Sequence, residues 1–250
     1  MRPNLAWPET SAPRLPTLPR SRFEHLAADN ENLPPPAGDL AALLLQAVFL
    51  DERDGHPTLQ PLWAEEGMHR AYTMLRLLDS RARAQPGAAP NHEHALARSL
   101  TRGYRSLTGM PQHATAPCSP VLRELARNLV SLFGDKNGVA LRTDIDRISL
   151  PAGKRRALVL CASELLLNAL QHAFPASSRH ARIDLSLRQL DPSRARLRVI
   201  DNGIGFPPRS PKPKPGIATG LADLLDAGLR YRRTPDGMTI AEITFPLPRL

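Results

Sequence analysis

The sequence predicts an α+β chain, with a helical hairpin leading into a two-layer α/β sandwich. Three observations predict it. Apolar residues between 59 and 107 recur at three–four spacing, the period of one helical face. From residue 121 onward, helical patterns alternate with short runs of period two, the signature of half-buried strands. Between these halves, 109–120 carries three prolines and breaks both periods.

The elements follow in order. Pro3, Pro8, Pro13, Pro16, Pro19 and Pro34-Pro35-Pro36 remove backbone donors and fix φ, so 1–38 reads as a disordered arm with at most a short helix near 22–28. Asp39 is placed to cap a helix over 40–50. A longer helix is expected over 59–83, with Pro61 tolerated in its first turn and a stripe of Leu62, Met68, Ala71, Tyr72, Leu75, Leu78 and Ala82. A loop at 85–90 leads to a helix over 91–107 that carries Leu96, Leu100, Tyr104 and Leu107 on one face. A hairpin buries little by itself, so 39–118 is expected to dimerise into a four-helix bundle.

The second half, 119–250, reads as a helix over 121–133 ended by Gly134, a strand at 139–143, and a helix over 154–174 stopped by Pro175. Strands follow at 181–187 and 196–200, then a Gly/Pro loop over 201–216 and a helix over 221–226. A hairpin of 229–233 and 239–245 turns at Pro235-Asp236-Gly237. Mixed helices and strands of this kind build a sheet with one face covered by helices.

Composition narrows the function classes. At 42% hydrophobic, the 250 residues can build a core. The longest apolar run, 40–50, is broken by Gln46 and is too short to span a bilayer, so no membrane span is expected. Residues 1–20 contain no apolar signal segment, and Cys118 and Cys161 have no metal-ligand spacing. A reducing, cytoplasmic setting follows as an expectation, with no disulfide framework and no zinc module. The net charge of +9 favours acidic partners, nucleotides among them. Without basic–aromatic interleaving or a zinc finger, nucleic acid is not expected.

Three segments carry the chemistry. In Glu164-Leu-Leu-Leu-Asn168-Ala-Leu-Gln-His172 the three polar residues are four apart and share one helical face. A carboxylate, an amide and an imidazole so arranged suit a hard cation and the phosphates it carries; they also suit a plain polar stripe facing solvent. In Val199-Ile-Asp201-Asn-Gly203-Ile-Gly205 a strand ends in a carboxylate that can accept from an exocyclic amine, followed by glycines that let backbone approach a ligand. In Gly216-Ile-Ala-Thr-Gly220-Leu a Gly-rich loop opens a helix, whose free N–H groups favour phosphate. Between the last two lies 207–215, with Arg209, Lys212 and Lys214, either a basic lid or a solvated linker.

Taken together and in this order, the three segments resemble the N, G1 and G2 boxes of the GHKL ATPase superfamily. The run Asn168-Ala-Leu-Gln-His172-Ala-Phe-Pro is most similar to that of HWE/HisKA_2-type sensor histidine kinases. The resemblance covers 121–250 and implies the Bergerat ATP-binding fold, with ATP and Mg²⁺ as cofactors. It implies that Asn168 holds Mg²⁺, Glu164 orients the attacking group and His172 sits beside the phosphates. It also implies that Asp201 reads the adenine amine, Gly203 and Gly205 shape that wall, and Gly216 and Gly220 flank the phosphates. Gln171 stands where the family commonly has Lys, and Ala218 and Thr219 replace the middle glycine of the third box.

A kinase of this family presents an acceptor histidine on the first helix of its hairpin. His69 is the candidate, and His69-Arg70 resembles the start of the family's His box, although Thr73 and Met74 occupy positions where Asn is expected. His25, His92 and His94 are the competing histidines. The resemblance thus implies a cytoplasmic, dimeric histidine kinase. It would autophosphorylate on His and pass the group to an Asp of a response-regulator receiver protein. The alternatives are a histidine phosphotransferase or partner-binding module with a relict ATP site, and an anti-sigma-type serine kinase.

Overall fold

A computed structural model of the chain describes residues 90–107, 114–134, 138–175, 178, 180–205 and 216–248, with 62, 63, 66, 67, 69, 70, 73, 74 and 77. The expected arm at 1–38, the helix at 40–50, the loop at 85–89 and the basic segment at 207–215 lie outside the described residues. The chain divides into units 1–32 and 33–250, and all that follows concerns the second.

The described residues between 62 and 77 are helical. Among them Trp63, Glu66, Arg70, Thr73 and Met74 are buried, at three–four spacing. The face they form differs from the apolar stripe read from sequence, whose side chains at 68, 71, 72, 75 and 78 lie outside the described ones. Helix α1 (Pro90–Arg105) follows. Its inward residues Ala97, Leu100 and Tyr104 are fully buried.

Helix α1 packs on helix α2 (Ser119–Phe133) of the same chain. Gly103 makes this possible, because a Cβ there would lie 2.6 Å from Leu125 Cδ2. Ser99 Oγ donates to Glu124 at 2.8 Å and accepts from Asn128 Nδ2 at 2.8 Å, tying the two helices. The apolar face that the sequence assigned to a partner copy is, on α1, covered by the chain itself.

Strand β1 (Thr115–Pro117) precedes α2 and pairs antiparallel with β3 (Ser149–Pro151). The 109–120 segment, read from sequence as irregular throughout, therefore contains a strand. Strands β2 (Ala140–Ile145), β4 (Arg182–Asp191), β5 (Arg194–Asp201), β6 (Leu229–Arg233) and β7 (Thr239–Pro246) form one sheet in the order β2-β4-β5-β7-β6. Only β2–β4 is parallel, and the long helix α3 (Ala152–His172) lies on the connection between them. Strands β4 and β5 run past the predicted ends to a tight turn, where Asp191 Oδ1 accepts from the Ser193 amide at 2.9 Å.

Alternation sends Ile183, Leu185, Leu187, Leu197, Val199, Ile243 and Phe245 to the helix-covered face. The other face carries Arg196, Arg198 and Glu242. Burial alone would raise the Glu242 carboxyl, but Arg198, Arg196 and Arg232 hold it below its ordinary range.

Helix α3 is buried nearly all round, from Ala157 to Leu167, because it lies between the sheet and the outer helices. A short helix α4 (Ile217–Asp223) packs against it. Cys118 and Cys161 are free, buried thiols, each pushed up to about 12 by burial. Among the described residues no helix is long and apolar enough to cross a membrane.

Candidate functional site

The polar residues of α3 meet where the sequence expects them to. Glu164 Oε1 accepts from Asn168 Nδ2 at 3.0 Å, the contact that four-residue spacing allows. That bond commits the amide nitrogen and leaves the Asn168 oxygen as the group available to a cation. The same Glu164 oxygen accepts from His69 Nε2 at 2.9 Å, across 95 residues of chain. Glu164 is buried, whereas the His69 side chain is 41% exposed. His69 is thus both accessible and fastened to the helix that carries the polar stripe.

At the far end of the stripe, the loop after β5 is locked onto the end of α3. The Ile204 amide donates to Ala173 O at 2.9 Å, and the Gly203 amide donates to Asp201 Oδ1 at 3.0 Å. Asn202 braces the turn by accepting from the Arg182 amide at 2.7 Å and donating to His180 O at 2.9 Å. A Cβ at Gly203 would lie 2.2 Å from Ala173 O, so nothing larger fits. Gly205 has φ +71°, a conformation that glycine adopts without cost. Asp201 is buried, and desolvation raises its carboxyl above the ordinary value, partly offset by the Gly203 amide.

A cavity of ≈ 720 Å³ joins these groups, within the ~300–1,000 Å³ typical of small-molecule sites. Of the residues singled out from sequence, it is lined by His69, Glu164, Asn168, His172, Asp201, Gly205 and Gly216. Gly203 and Gly220 are not in its lining. Gly203 serves the contact with Ala173, and Gly220 faces Leu62, whose Cδ1 would be 3.1 Å from an added Cβ. His94 lies on α1 outside the cavity, as does the His92 backbone; His25 lies outside the described residues.

The lining fits a purine nucleotide in chemistry. Apolar groups such as Val199, Ile217 and Ala241 flank Asp201, the buried acceptor, and the polar stripe of α3 supplies the other end. Among the described residues no three His, Cys, Asp or Glu side chains cluster to hold a metal unaided. A single amide oxygen suits Mg²⁺, which takes most of its ligands from phosphate and water.

Residues 139–240 match the family model described as "Histidine kinase-like ATPase domain". The C-terminal part of this chain is therefore similar to a histidine kinase-like ATPase domain. A search of curated proteins finds no match. Among solved structures, the histidine kinase domain of the blue-light activated histidine kinase from Erythrobacter litoralis is similar at 22% identity. It covers 86% of this chain and 95% of that one, with a TM-score of 0.55. The likeness is one of fold, and it reaches beyond the ATPase domain into the helical part. A second structure of the Erythrobacter litoralis kinase is 21% identical, covers 73% of this chain and 60% of that one, and has a TM-score of 0.48. The ATP binding domain of PrrB from Mycobacterium tuberculosis is 16% identical, covers 56% of this chain and 100% of that one, and has a TM-score of 0.45.

Sequence reasoning missed two groups in the ATPase domain. Thr239 pairs with Asp201 in the β5–β7 register, lines the cavity, and its buried hydroxyl helps to hold the Asp201 carboxyl down. Its signal exists only once strand register is known. Tyr231, also in the lining, has its phenol pushed up to about 12 by burial. As one letter in an Arg-rich strand it carried no signal.

Proposed function

We propose that the chain is an ATP-dependent protein-histidine kinase that phosphorylates His69 and passes the group to an aspartate of a separate receiver protein. The observation that carries this reading is the 2.9 Å contact between His69 and Glu164, in the lining shared with Asn168 and Asp201. An imidazole, a carboxylate within hydrogen-bond reach of it and a nucleotide-sized cavity meet at one site, which supports the reading.

In this reading Asp201 would accept from the adenine amine, with Thr239 beside it, and Asn168 would offer its amide oxygen to Mg²⁺. Bound Mg²⁺ would supply charge neutralisation for the transferring phosphoryl group. Glu164 accepts from one ring nitrogen of His69. The other nitrogen is left with the lone pair that attacks phosphorus. Catalysis by the chain is then positioning and proton acceptance. A cytoplasmic setting and a homodimer belong to the same proposal, supported by the family resemblance and the absence of a membrane-length helix among the described residues.

Incubation with γ-labelled ATP and Mg²⁺, beside His69→Gln and Asn168→Ala, tests it. Acid-labile, base-stable label that vanishes in both variants is the expected result. Label that survives His69→Gln moves the acceptor elsewhere. Acid-stable label would favour a serine kinase. ATP binding without label, in a chain that accepts phosphate from a phosphorylated receiver, would favour a phosphotransferase.

A further inference from the structure

The face that the 62–77 helix turns toward the rest of the chain is charged where a dimer seam would be apolar. Arg70 is 1% exposed and Glu66 2%, ion-paired at 3.2 Å across one helical turn. The Arg70 guanidinium lies 4.1 Å from the centroid of the Tyr104 ring on α1. Arg70 Nε and Nη2, and Glu66 Oε2, have no hydrogen-bond partner. Taking both charges out of water costs more than an incompletely bonded pair returns, so this cluster is a poor source of stability. It does define a register, because a planar guanidinium stacked on one ring and paired on one side is satisfied in a single orientation.

What that register fixes is the neighbouring residue, His69, at Glu164. The same helix reaches both sides of the cavity. Trp63 lies under the Arg156 guanidinium of α3 at 4.3 Å, and Leu62 packs on Gly220 of α4. These contacts tie the helix to α3 and α4 of the chain.

Resting on the kinase reading above, we infer that His69 takes the phosphoryl group from nucleotide bound by its own chain, with Arg70 as the positioning residue. In the step, an imidazole lone pair forms the P–N bond to the γ-phosphorus. The bond from that phosphorus to the bridging oxygen breaks, and ADP leaves with the electron pair. The ring N–H proton passes to the Glu164 carboxylate.

Two measurements test this with the full chain. In the first, Asn168→Ala and His69→Gln chains carrying different tags are co-expressed, and any mixed complex is isolated and incubated with labelled ATP. Neither chain should be labelled, and the wild-type rate per chain should be constant on serial dilution. Label on the Asn168→Ala chain, or a rate that falls with dilution, would overturn transfer within the chain. In the second, Arg70→Met is combined with Glu66→Leu, so that no unpaired charge is left buried. KM for ATP should be unchanged while kcat for labelling falls by about tenfold or more, with Arg70→Lys intermediate. An unchanged kcat in the folded double variant, or a change confined to KM, would overturn the positioning role. A wild-type chain that never labels removes the kinase reading itself, which is a different failure from label that crosses between chains.

Discussion

The last turn of α3 and its middle both reach the cavity, but they are fastened by different chemistry. At the last turn the partners are backbone: Ala173 O accepts from Ile204, and Gly203 lies too close for any side chain. At the middle the partners are side chains: Glu164 holds His69, and the neighbouring Glu66–Arg70 pair stacks on Tyr104. Backbone bonds of the first kind are neutral and fully made, so they rigidify without a desolvation debt. Charges of the second kind are held against their own hydration. This division of chemistry gives one wall of the cavity that is fixed by backbone and, beside it, a histidine held only through side chains.

The contrast can be pressed hardest at the charged joint. Glu66→Leu alone should cost about 3–5 kcal/mol in chemical denaturation, since it leaves Arg70 buried and unpaired. Adding Arg70→Met should return the chain to wild-type stability or above. A double variant as unstable as the single would mean that the pair is a source of stability after all, and would erase the distinction. At the backbone joint, Gly203→Ala should cost about 3 kcal/mol, with no second change able to recover it.

Asp201 sharpens the comparison from the ligand's side. Its folded carboxyl is raised above the unfolded value of 3.8, with burial the largest cause. The folded chain therefore holds that proton more tightly than the unfolded one. This contribution is fully present below pH 3.8 and is lost as pH rises through the raised value. Asp201→Asn, which keeps an acceptor for the Gly203 amide, should melt higher than wild type at neutral pH and lose that advantage in acid. The same change should weaken ATP binding by about 1.5–3 kcal/mol, tenfold to a hundredfold in Kd by calorimetry. Far from both joints, Leu190→Ser at the exposed end of β4 should move stability by no more than about 0.5 kcal/mol.

How much of this was legible in the sequence depends on the range of the interaction. Glu164, Asn168 and His172 were readable because a four-residue spacing is a local fact about a helix. Asp201 and Gly205 were readable because a strand end and a glycine turn are local too. The parallel β2–β4 pairing and the Asp201–Thr239 register are facts about distant segments, and no pattern announces them. Strand β1 is three residues, Thr115-Ala-Pro117, too short for alternation and placed among prolines. The buried face of the 62–77 helix escaped for a different reason. A search for apolar periodicity passes over Glu66 and Arg70, because charged residues are expected outside. The apolar stripe drew attention to Leu62, which does pack on Gly220, and away from Glu66, His69 and Arg70. Gly203 and Gly220 each also make room for protein, against Ala173 and Leu62, which no local pattern announces.

The two cysteines give the molecule a built-in clock. Both thiols are sealed and held far from the thiolate form, so a maleimide added to the native chain has almost nothing to react with. Reaction waits for an opening. Cys161 has its sulfur against Ala218 O of α4, on the flank of the cavity, whereas Cys118 sits at the start of α2, away from it. The two alkylation rates therefore time two different motions in one experiment, and ATP should slow the first while leaving the second alone.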